Sequence, residues 1–218
     1  MDVVIAGGHG QIARHLTRKL SARGDRVRGI IRNPDHVADL EADGATAVVL
    51  DMETADDLSE AVRGADAVVF AAGAGPGSGA ERKRTVDLGA AVKLIEAAQR
   101  TGVRRYVMVS SIGAHDPAAA GDGPMRPYLE AKAEADAQLA ASALDWTIVR
   151  PGSLTDDPGT GEVDVSTELG RRDPIPREDV AAVLLAVLDT PETAGVTLEA
   201  FAGDRDVELA VRALARAA

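Results

Sequence analysis

The chain contains no cysteine, and aromatic residues make up only 2% of its 218 residues. Without thiols it forms no disulfides, binds no metal through thiolates and has no cysteine nucleophile. Basic residues are also scarce, because 24 Lys and Arg stand against 35 Asp and Glu, a formal net charge of −11. A nucleic-acid-binding surface needs clustered cations, so this composition argues against nucleic acid as a partner.

Long apolar runs are missing as well. No stretch approaches the roughly 20 apolar residues that span a bilayer. Because the first apolar run begins almost at Met1, we expect no targeting segment. We therefore expect no membrane partner, a cytoplasmic location and a monomer or homodimer. The length suits one α/β domain and is short for two. We expect a single domain over 1–218, with a substrate-covering portion at about 152–176.

Short runs of Val, Ile and Ala alternate with helical patterns along the chain. The apolar runs are 3–6, 27–31, 47–50, 67–71, 106–109, 146–149 and 196–201. The helical patterns are 11–23, 34–43, 54–63, 81–101, 126–143, 177–189 and 206–216. Near-continuous apolar runs indicate strands covered on both faces, as in a parallel sheet. The order predicts a doubly wound α/β fold whose ligand lies at the carboxyl ends of the strands. Three irregular segments, 73–79, 113–123 and 152–174, leave strands at that edge.

A glycine-dense turn joins the first apolar run to the first helical pattern. Gly7 allows a sharp turn, Gly10 removes a Cβ that would keep a pyrophosphate off the backbone, and the small Ala13 lets the helix lie close to the strand. Unpaired N–H groups at the start of that helix then face the anion. This stretch predicts a nucleotide phosphate site.

Three later strand ends carry candidate nucleotide contacts. Arg32 ends the second strand, where an arginine offers a cationic fork to a 2′-phosphate and an acid would instead accept from ribose hydroxyls. This favours NADP(H) over NAD(H), and the alternative is a surface arginine without a ligand. Asp51 ends the third strand and either accepts from the adenine amino group or caps the helix near 54–63. The small residues Ala71, Ala72 and Gly73 end the fourth strand and leave room for a cofactor.

Tyr128 and Lys132 form a candidate catalytic pair. Four residues apart on a helix, they share one face, and a nearby ammonium favours the phenolate form of a tyrosine. Such a tyrosine can give a proton to a carbonyl oxygen or take one from an alcohol. Ser110 and Ser111, at the end of the fifth strand, lie at the same sheet edge and can hydrogen-bond the reacting oxygen.

Taken together, these motifs resemble the short-chain dehydrogenase/reductase superfamily, and most closely its small atypical branch of NAD(P)-binding, epimerase-like Rossmann proteins. The resemblance spans nearly the whole chain and implies a tyrosine general acid–base, a lysine that contacts the nicotinamide ribose and a serine that orients the substrate. These roles fall on Tyr128, Lys132 and Ser111, with Ser110 as the alternative serine. Implied cofactor contacts are Gly7, Gly8, His9, Gly10, Gln11, Ile12, Arg32, Asp51, Met52, Ala71, Ala72, Gly73, Ser110, Lys132, Pro151 and Gly152.

One residue departs from the superfamily pattern. Asp87 stands where the superfamily has an asparagine on the helix after the fourth strand. An ionised aspartate accepts but does not donate hydrogen bonds, and it can pair with Lys132 and blunt the activation of Tyr128. We therefore count Asp87 among the candidate catalytic residues.

The resemblance implies an NADP(H)-dependent oxidoreductase that acts on a small carbonyl or quinone-like substrate. Only 68 residues follow Arg150, which leaves little for a lobe that would bind a large sugar nucleotide. Two alternatives remain open. One is a redox sensor that binds NADP(H) without turnover, and the other is a reductase of a flavin-like planar acceptor, which needs no tyrosine proton donor.

Overall fold

Parallel strands with helices on both faces form the centre of the protein in the computed structural model, which describes residues 1–75 and 77–217. The strands are β1 (Asp2–Ala6), β2 (Arg26–Ile31), β3 (Thr46–Val49), β4 (Ala67–Phe70), β5 (Arg105–Val109), β6 (Asp145–Pro151), β7 (Ser153–Thr155), β8 (Glu162–Ser166), β9 (Pro174–Pro176), β10 (Val196–Ala202) and β11 (Arg205–Asp206). The helices are α1 (Gln11–Ala22), α2 (Val37–Ala42), α3 (Ser59–Val62), α4 (Ala80–Arg82), a π-helix (Lys83–Ala90), α5 (Ala91–Thr101), α6 (Arg126–Ala140), α7 (Arg177–Leu188) and α8 (Val207–Ala217).

The order of strands in the main sheet is β11-β8-β10-β6-β5-β4-β1-β2-β3. The run from β3 to β10 is parallel throughout, while β8 and β11 pair antiparallel at one edge. The chain moves outward from β1 in one direction and from β4 in the other, so a crevice opens between these two strands at their carboxyl ends. The predicted doubly wound, mainly parallel sheet is confirmed.

The two faces of the sheet bury different residues of the same strand. Val3 and Ile5 of β1 pack in a cluster with α1, α7 and α8, whereas Val4 and Ala6 pack in a cluster with α3, α5 and α6. Alternate side chains of a strand point to opposite faces, so a strand covered on both faces needs apolar residues at every position. Burying one such Val or Ile contributes about 1.5–3 kcal/mol.

The helix predicted over 54–63 was wrong in its length. Only Ser59–Val62 is helical, because the Asp57 carboxylate accepts from both the backbone N–H and the hydroxyl of Ser59. A side-chain acceptor of this kind offers the backbone an alternative to the helical hydrogen bond, and the helix therefore starts there.

The segment predicted as irregular, 152–174, was also wrong, since it contains β7, β8 and the start of β9. β8 reads Glu-Val-Asp-Val-Ser and alternates polar and apolar residues, the pattern of a strand with one buried face. It pairs with β10, and β7 pairs with β9 in a small separate sheet. These pairings join residues far apart in the chain.

The helical pattern over 81–101 is interrupted by one structural feature that the sequence did not reveal. Lys83–Ala90 is a π-helix, and the regular α-helix α5 begins only at Ala91. π-Helical turns are rare and occur frequently at functional sites. In the described residues, none of the helices has the length and apolar character needed to cross a bilayer.

Candidate functional site

Two adjoining cavities lie along the carboxyl ends of the strands. The smaller cavity has a volume of about 340 Å³ and the larger one about 680 Å³. They share the wall formed by Ala71, Ala72 and Gly73 at the end of β4. A continuous groove of this form, at the point where the strand order reverses, fits an elongated ligand such as a dinucleotide.

Two glycines of the turn after β1 are required because neighbouring backbone atoms leave no room for a Cβ. Gly7 has a φ of +79°, and a Cβ there would lie 2.6 Å from Ala72 Cα. A Cβ on Gly8 would lie 2.8 Å from Gly29 Cα, so these two backbones touch. Gly29 was not singled out from the sequence, although a glycine inside a buried strand is a known signal of close backbone approach.

Gly10 is a glycine of this turn that faces the smaller cavity. It occupies the N-cap of α1, is exposed and lines the smaller cavity. Without a capping side chain, the first-turn N–H groups of α1 remain available to an anion. His9 lines the same cavity, bonds Asp39 at 2.8 Å and stacks on His36 at 3.5 Å between ring centroids.

The smaller cavity carries a cluster of charges. Arg32 donates to the Glu53 carboxylate at 3.0 Å, and Arg82 approaches the same oxygen at 3.5 Å. The Asp51 carboxylate accepts from the Glu53 backbone N–H at 3.0 Å. Asp51 therefore holds a turn, and the predicted alternative of capping a helix over 54–63 does not apply. Glu53 was not predicted from the sequence, although it is an acidic residue three positions after the apolar run 47–50.

Tyr128, Lys132 and Asp87 meet in the larger cavity. Lys132 Nζ lies 3.3 Å from Asp87 Oδ1 and 5.8 Å from the centre of the Tyr128 ring. The ammonium also donates to the Val109 carbonyl at 3.2 Å. Lys132 and Asp87 are buried, whereas Tyr128 is half-buried at the cavity wall. The predicted pairing of Asp87 with Lys132 is confirmed.

The two carboxylate oxygens of Asp87 differ in their hydrogen bonds. Its Oδ2 accepts from the Ala74 backbone N–H at 3.3 Å, whereas Oδ1 accepts no hydrogen bond within residues 1–75 and 77–217. The contact of Oδ1 with Lys132 is therefore a Coulombic one without hydrogen-bond geometry. The π-helix carries Asp87, so the local widening of the helix determines where this carboxylate lies.

The two candidate serines differ in their hydrogen bonds. The Ser110 hydroxyl is buried and donates to Asp136 at 2.8 Å, and Asp136 also accepts from Arg150 at 2.9 Å. Burial raises the pKa of Asp136 even though both partners favour its charged form. Ser111 is half-buried, lines the larger cavity and donates only weakly to the Ile112 carbonyl at 3.2 Å. This arrangement favours Ser111 over Ser110 as the serine that orients a substrate.

Most of the larger cavity is apolar. Pro151, Met125 and Leu154 contribute to its wall, and Lys83 lies at its rim, where it donates to the Pro124 carbonyl at 3.0 Å. Gly152 also lines the cavity, but its Cβ would lie 1.9 Å from the Asp173 carbonyl oxygen. Gly152 is therefore required where the chain before β9 crosses it.

The site residues predicted from the sequence divide between the two cavities. Those in the smaller cavity are Gly7, His9, Gly10, Arg32, Asp51, Met52, Ala71, Ala72 and Gly73. Those in the larger cavity are Ile12, Ala71, Ala72, Gly73, Asp87, Ser110, Ser111, Tyr128, Lys132, Pro151 and Gly152. Gly8 is buried beneath the turn and Gln11 is exposed, and neither contributes to the described cavity walls.

Comparison with known proteins gives consistent matches along the chain. A model of the NAD(P)H-binding family matches residues 7–191. The Bacillus subtilis protein YhfK, described as an uncharacterized sugar epimerase, is 37% identical over 216 residues and covers 98% of this chain and 100% of its own. A putative NAD-dependent epimerase/dehydratase from Bacillus halodurans superposes with a TM-score of 0.93 at 40% identity, over 98% of this chain and 100% of that one. The oxidoreductase ylbE from Lactococcus lactis superposes with a TM-score of 0.86 at 26% identity, over 99% and 97%.

Proposed function

The chain belongs to the NAD(P)H-binding family, as an atypical Rossmann protein of the short-chain dehydrogenase/reductase type, and we propose that it is an NADP(H)-dependent oxidoreductase of a small carbonyl or quinone-like compound. The observation that carries this proposal is the position of Tyr128. Its ring lies in the wall of the larger cavity, beside the buried ammonium of Lys132 and next to the nucleotide groove.

The preference for NADP(H) rests on two guanidinium groups. Arg32 and Arg82 both line the smaller cavity and converge on one carboxylate oxygen, so their donors already point to a common anion position. Two such groups fit the 2′-phosphate, because arginine recognises phosphate with a planar pair of donors. The open first turn of α1 at Gly10 fits the pyrophosphate.

Tyr128 supplies the proton in the proposed reaction. When bound, the nicotinamide supplies a hydride to the substrate carbon or accepts one from it. The Tyr128 hydroxyl gives its proton to the carbonyl oxygen, and the Lys132 ammonium stabilises the phenolate that remains. Ser111 donates to the same oxygen and fixes its position. The apolar wall excludes water, and the segment 152–176, which contributes Leu154, covers the substrate.

The Asp87–Lys132 contact is the observation that favours a second candidate. A carboxylate 3.3 Å from the ammonium opposes its positive charge and so reduces the support for a phenolate on Tyr128. A protein that binds NADP(H) without turnover, and signals redox state to a partner, would tolerate this. A reductase of a flavin-like acceptor would tolerate it as well, since it needs no tyrosine proton.

Cofactor binding is tested by titrating the purified protein with NADPH and NADH. Arg32→Ala should weaken NADPH binding by about tenfold or more, the loss of a charged hydrogen bond, and leave NADH nearly unchanged. Arg104→Ala is the matched control, because this exposed arginine pairs with Asp145 at the opposite end of the strands. If neither nucleotide binds the wild type, the proposal fails.

Turnover is tested by NADPH consumption with a panel of carbonyl and quinone-like compounds. Tyr128→Phe should slow the reaction by at least about 100-fold, as expected for loss of a general acid. Retained activity in this variant would support a flavin-type reductase. Epimerisation, which the names of two relatives suggest, regenerates its cofactor, so product formation without net NADPH consumption would contradict the oxidoreductase proposal.

A further inference from the structure

Glu53 is surrounded by donors that a nucleotide phosphate would need. Its Oε2 accepts from Arg32 at 3.0 Å and lies 3.5 Å from an Arg82 nitrogen, while its Oε1 accepts from the Thr85 hydroxyl at 2.7 Å. The Glu53 side chain is 23% exposed, against 53% for Arg32 and 43% for Arg82. The carboxylate therefore lies closer to the protein interior than the two guanidinium groups, which separate it from solvent.

The backbone that carries Glu53 is itself held in place. Lys93, from α5, donates to the carbonyls of Met52, Glu53 and Ala55 at 3.3, 2.9 and 2.7 Å. Asp51 accepts from the Glu53 N–H. Three carbonyls on one ammonium and an Asx turn restrain this loop from both sides, so the position of the carboxylate does not depend on one flexible side chain alone.

We propose that Glu53 is a specificity-determining residue that weakens the binding of NADP(H) and thereby lets the site accept NAD(H) as well. This inference rests on the proposed nucleotide function. A 2′-phosphate and the Glu53 carboxylate need the same nitrogens of Arg32 and Arg82, because both anions bind guanidinium through the same planar donors. NADP(H) must therefore displace the carboxylate or bind beside it against like-charge repulsion. NAD(H) has no phosphate there and leaves the Glu53 contacts intact.

The opposite role for Glu53 has a distinct signature. An acidic residue at a ribose accepts hydrogen bonds from its hydroxyls and favours NAD(H) directly. Removal of the carboxylate would then weaken every nucleotide that has a free 2′-hydroxyl. Under our proposal its removal strengthens the phosphorylated nucleotides and leaves the others almost unchanged.

The test uses two probes that differ only by the phosphate in question, adenosine 2′,5′-bisphosphate and 5′-AMP, titrated by calorimetry into the full chain. Glu53→Gln keeps an oxygen that can accept from Thr85 and removes the charge. We expect it to tighten the bisphosphate by about tenfold, or about 1.4 kcal/mol, and to change 5′-AMP by less than about twofold. Glu192→Gln is the matched control, since it makes the same change in net charge at an exposed site between α7 and β10.

An unchanged ratio of the two affinities in Glu53→Gln overturns the proposal, and so does a selective loss of 5′-AMP binding. If the wild type consumes NADPH with a carbonyl substrate while that ratio stays unchanged, the role of Glu53 fails and the oxidoreductase function stands. If the wild type binds neither probe and neither cofactor, both fail. Thr85→Val provides a second variant of nearly equal shape, in which the carboxylate loses one anchor and the bisphosphate should tighten by about threefold.

Discussion

Lys132 and Asp87 form an ion pair inside the protein, with Nζ 3.3 Å from Oδ1 and both side chains at most 4% exposed. Lys132 comes from α6 and Asp87 from the π-helix, and the pair lies between the sheet edge and the larger cavity. Each of these two charges is stabilised by the other, because a single charge left in the protein interior is desolvated without compensation.

Removing one member of this pair should therefore destabilise the protein strongly. We expect Asp87→Leu or Lys132→Met to lower the free energy of unfolding by about 3–5 kcal/mol, and the double variant to lose much less than the sum of the two. Urea denaturation of the three variants measures this coupling. Asp145→Asn, which breaks the exposed Arg104–Asp145 pair, is the control and should lower the midpoint much less than either single variant of the buried pair. Additive effects at the buried pair would contradict the prediction.

Gly7 and Gly24 offer a comparison of backbone strain with packing. Both have positive φ, +79° and +89°, but only at Gly7 would a Cβ collide with a described atom, 2.6 Å from Ala72 Cα. Gly24→Ala should lower the free energy of unfolding by about 1–2 kcal/mol from its left-handed conformation alone. Gly7→Ala should add about 1–3 kcal/mol of overpacking and abolish NADPH binding. Equal losses of stability in thermal or urea unfolding would show that the close approach to Ala72 is not rigid.

Asp136 should give the protein an unusual pH dependence. Burial raises its pKa in the folded state, so between the unfolded and folded values the folded protein binds the proton more tightly. Its stabilising contribution is complete below the unfolded pKa of about 3.9 and is lost as the pH rises through the folded value. Asp136→Asn cannot titrate, so the stability of the wild type relative to this variant should fall as the pH rises from 3 to 7.

Asp145 provides the control of opposite sign for this measurement. The hydrogen bond from Arg104 holds the pKa of Asp145 below its usual range, so its contribution is present above the unfolded pKa and is lost as the pH falls. Melting temperatures of Asp136→Asn and Asp145→Asn across the same pH series should therefore diverge from the wild type in opposite directions. Parallel trends would contradict the assignment for Asp136.

Lys93 should affect the affinity for both nucleotides, and the affinity for the one without a 2′-phosphate more strongly. Its ammonium holds the carbonyls of the loop after β3, and Lys93→Met releases a loop that forms one wall of the smaller cavity. We expect 5′-AMP to bind about tenfold more weakly, because the loop must then be ordered on binding. Adenosine 2′,5′-bisphosphate should weaken less, because the released Glu53 carboxylate competes less for Arg32 and Arg82. Lys19→Met, at the ion pair with Glu178, should change neither affinity. A bisphosphate that weakens more than 5′-AMP would contradict this prediction.

Local patterns account for what could be predicted of the fold. All seven strands from 3–6 to 196–201 were found, because a strand covered on both faces must be apolar at every position. The strand β8, second from the edge of the sheet, was missed, since its alternating pattern is weak without the partner β10. The helix over 54–63 was overextended, because helical composition does not reveal that the Asp57 side chain takes the first N–H.

In the site, too, features set by residues close in the sequence could be predicted, whereas most contacts between distant elements could not. The glycine turn, Arg32 and the Tyr128–Lys132 spacing were all visible, since each depends on residues adjacent in the chain or one helical turn apart. Lys93 left no signal, as a lysine on a helix looks like any solvated one. The hydrogen bond of Ser110 to Asp136 left no signal either, because it depends on the direction in which β5 leaves the sheet. Only the resemblance favoured Ser111 over Ser110.

The sequence alone determined the doubly wound sheet, the phosphate turn and the residues available at the strand ends, because periodicity and glycine placement act over a few residues. The sequence offered the pairing of Asp87 with Lys132 as one alternative, but only the tertiary structure decided which charges are paired. Asp87 meets Lys132, and Glu53 meets Arg32, through contacts between separate elements. Their partners follow from the order of the strands and from the phase of the π-helix. Neither property can be predicted from any one segment, since each arises only when distant elements pack against the same sheet edge.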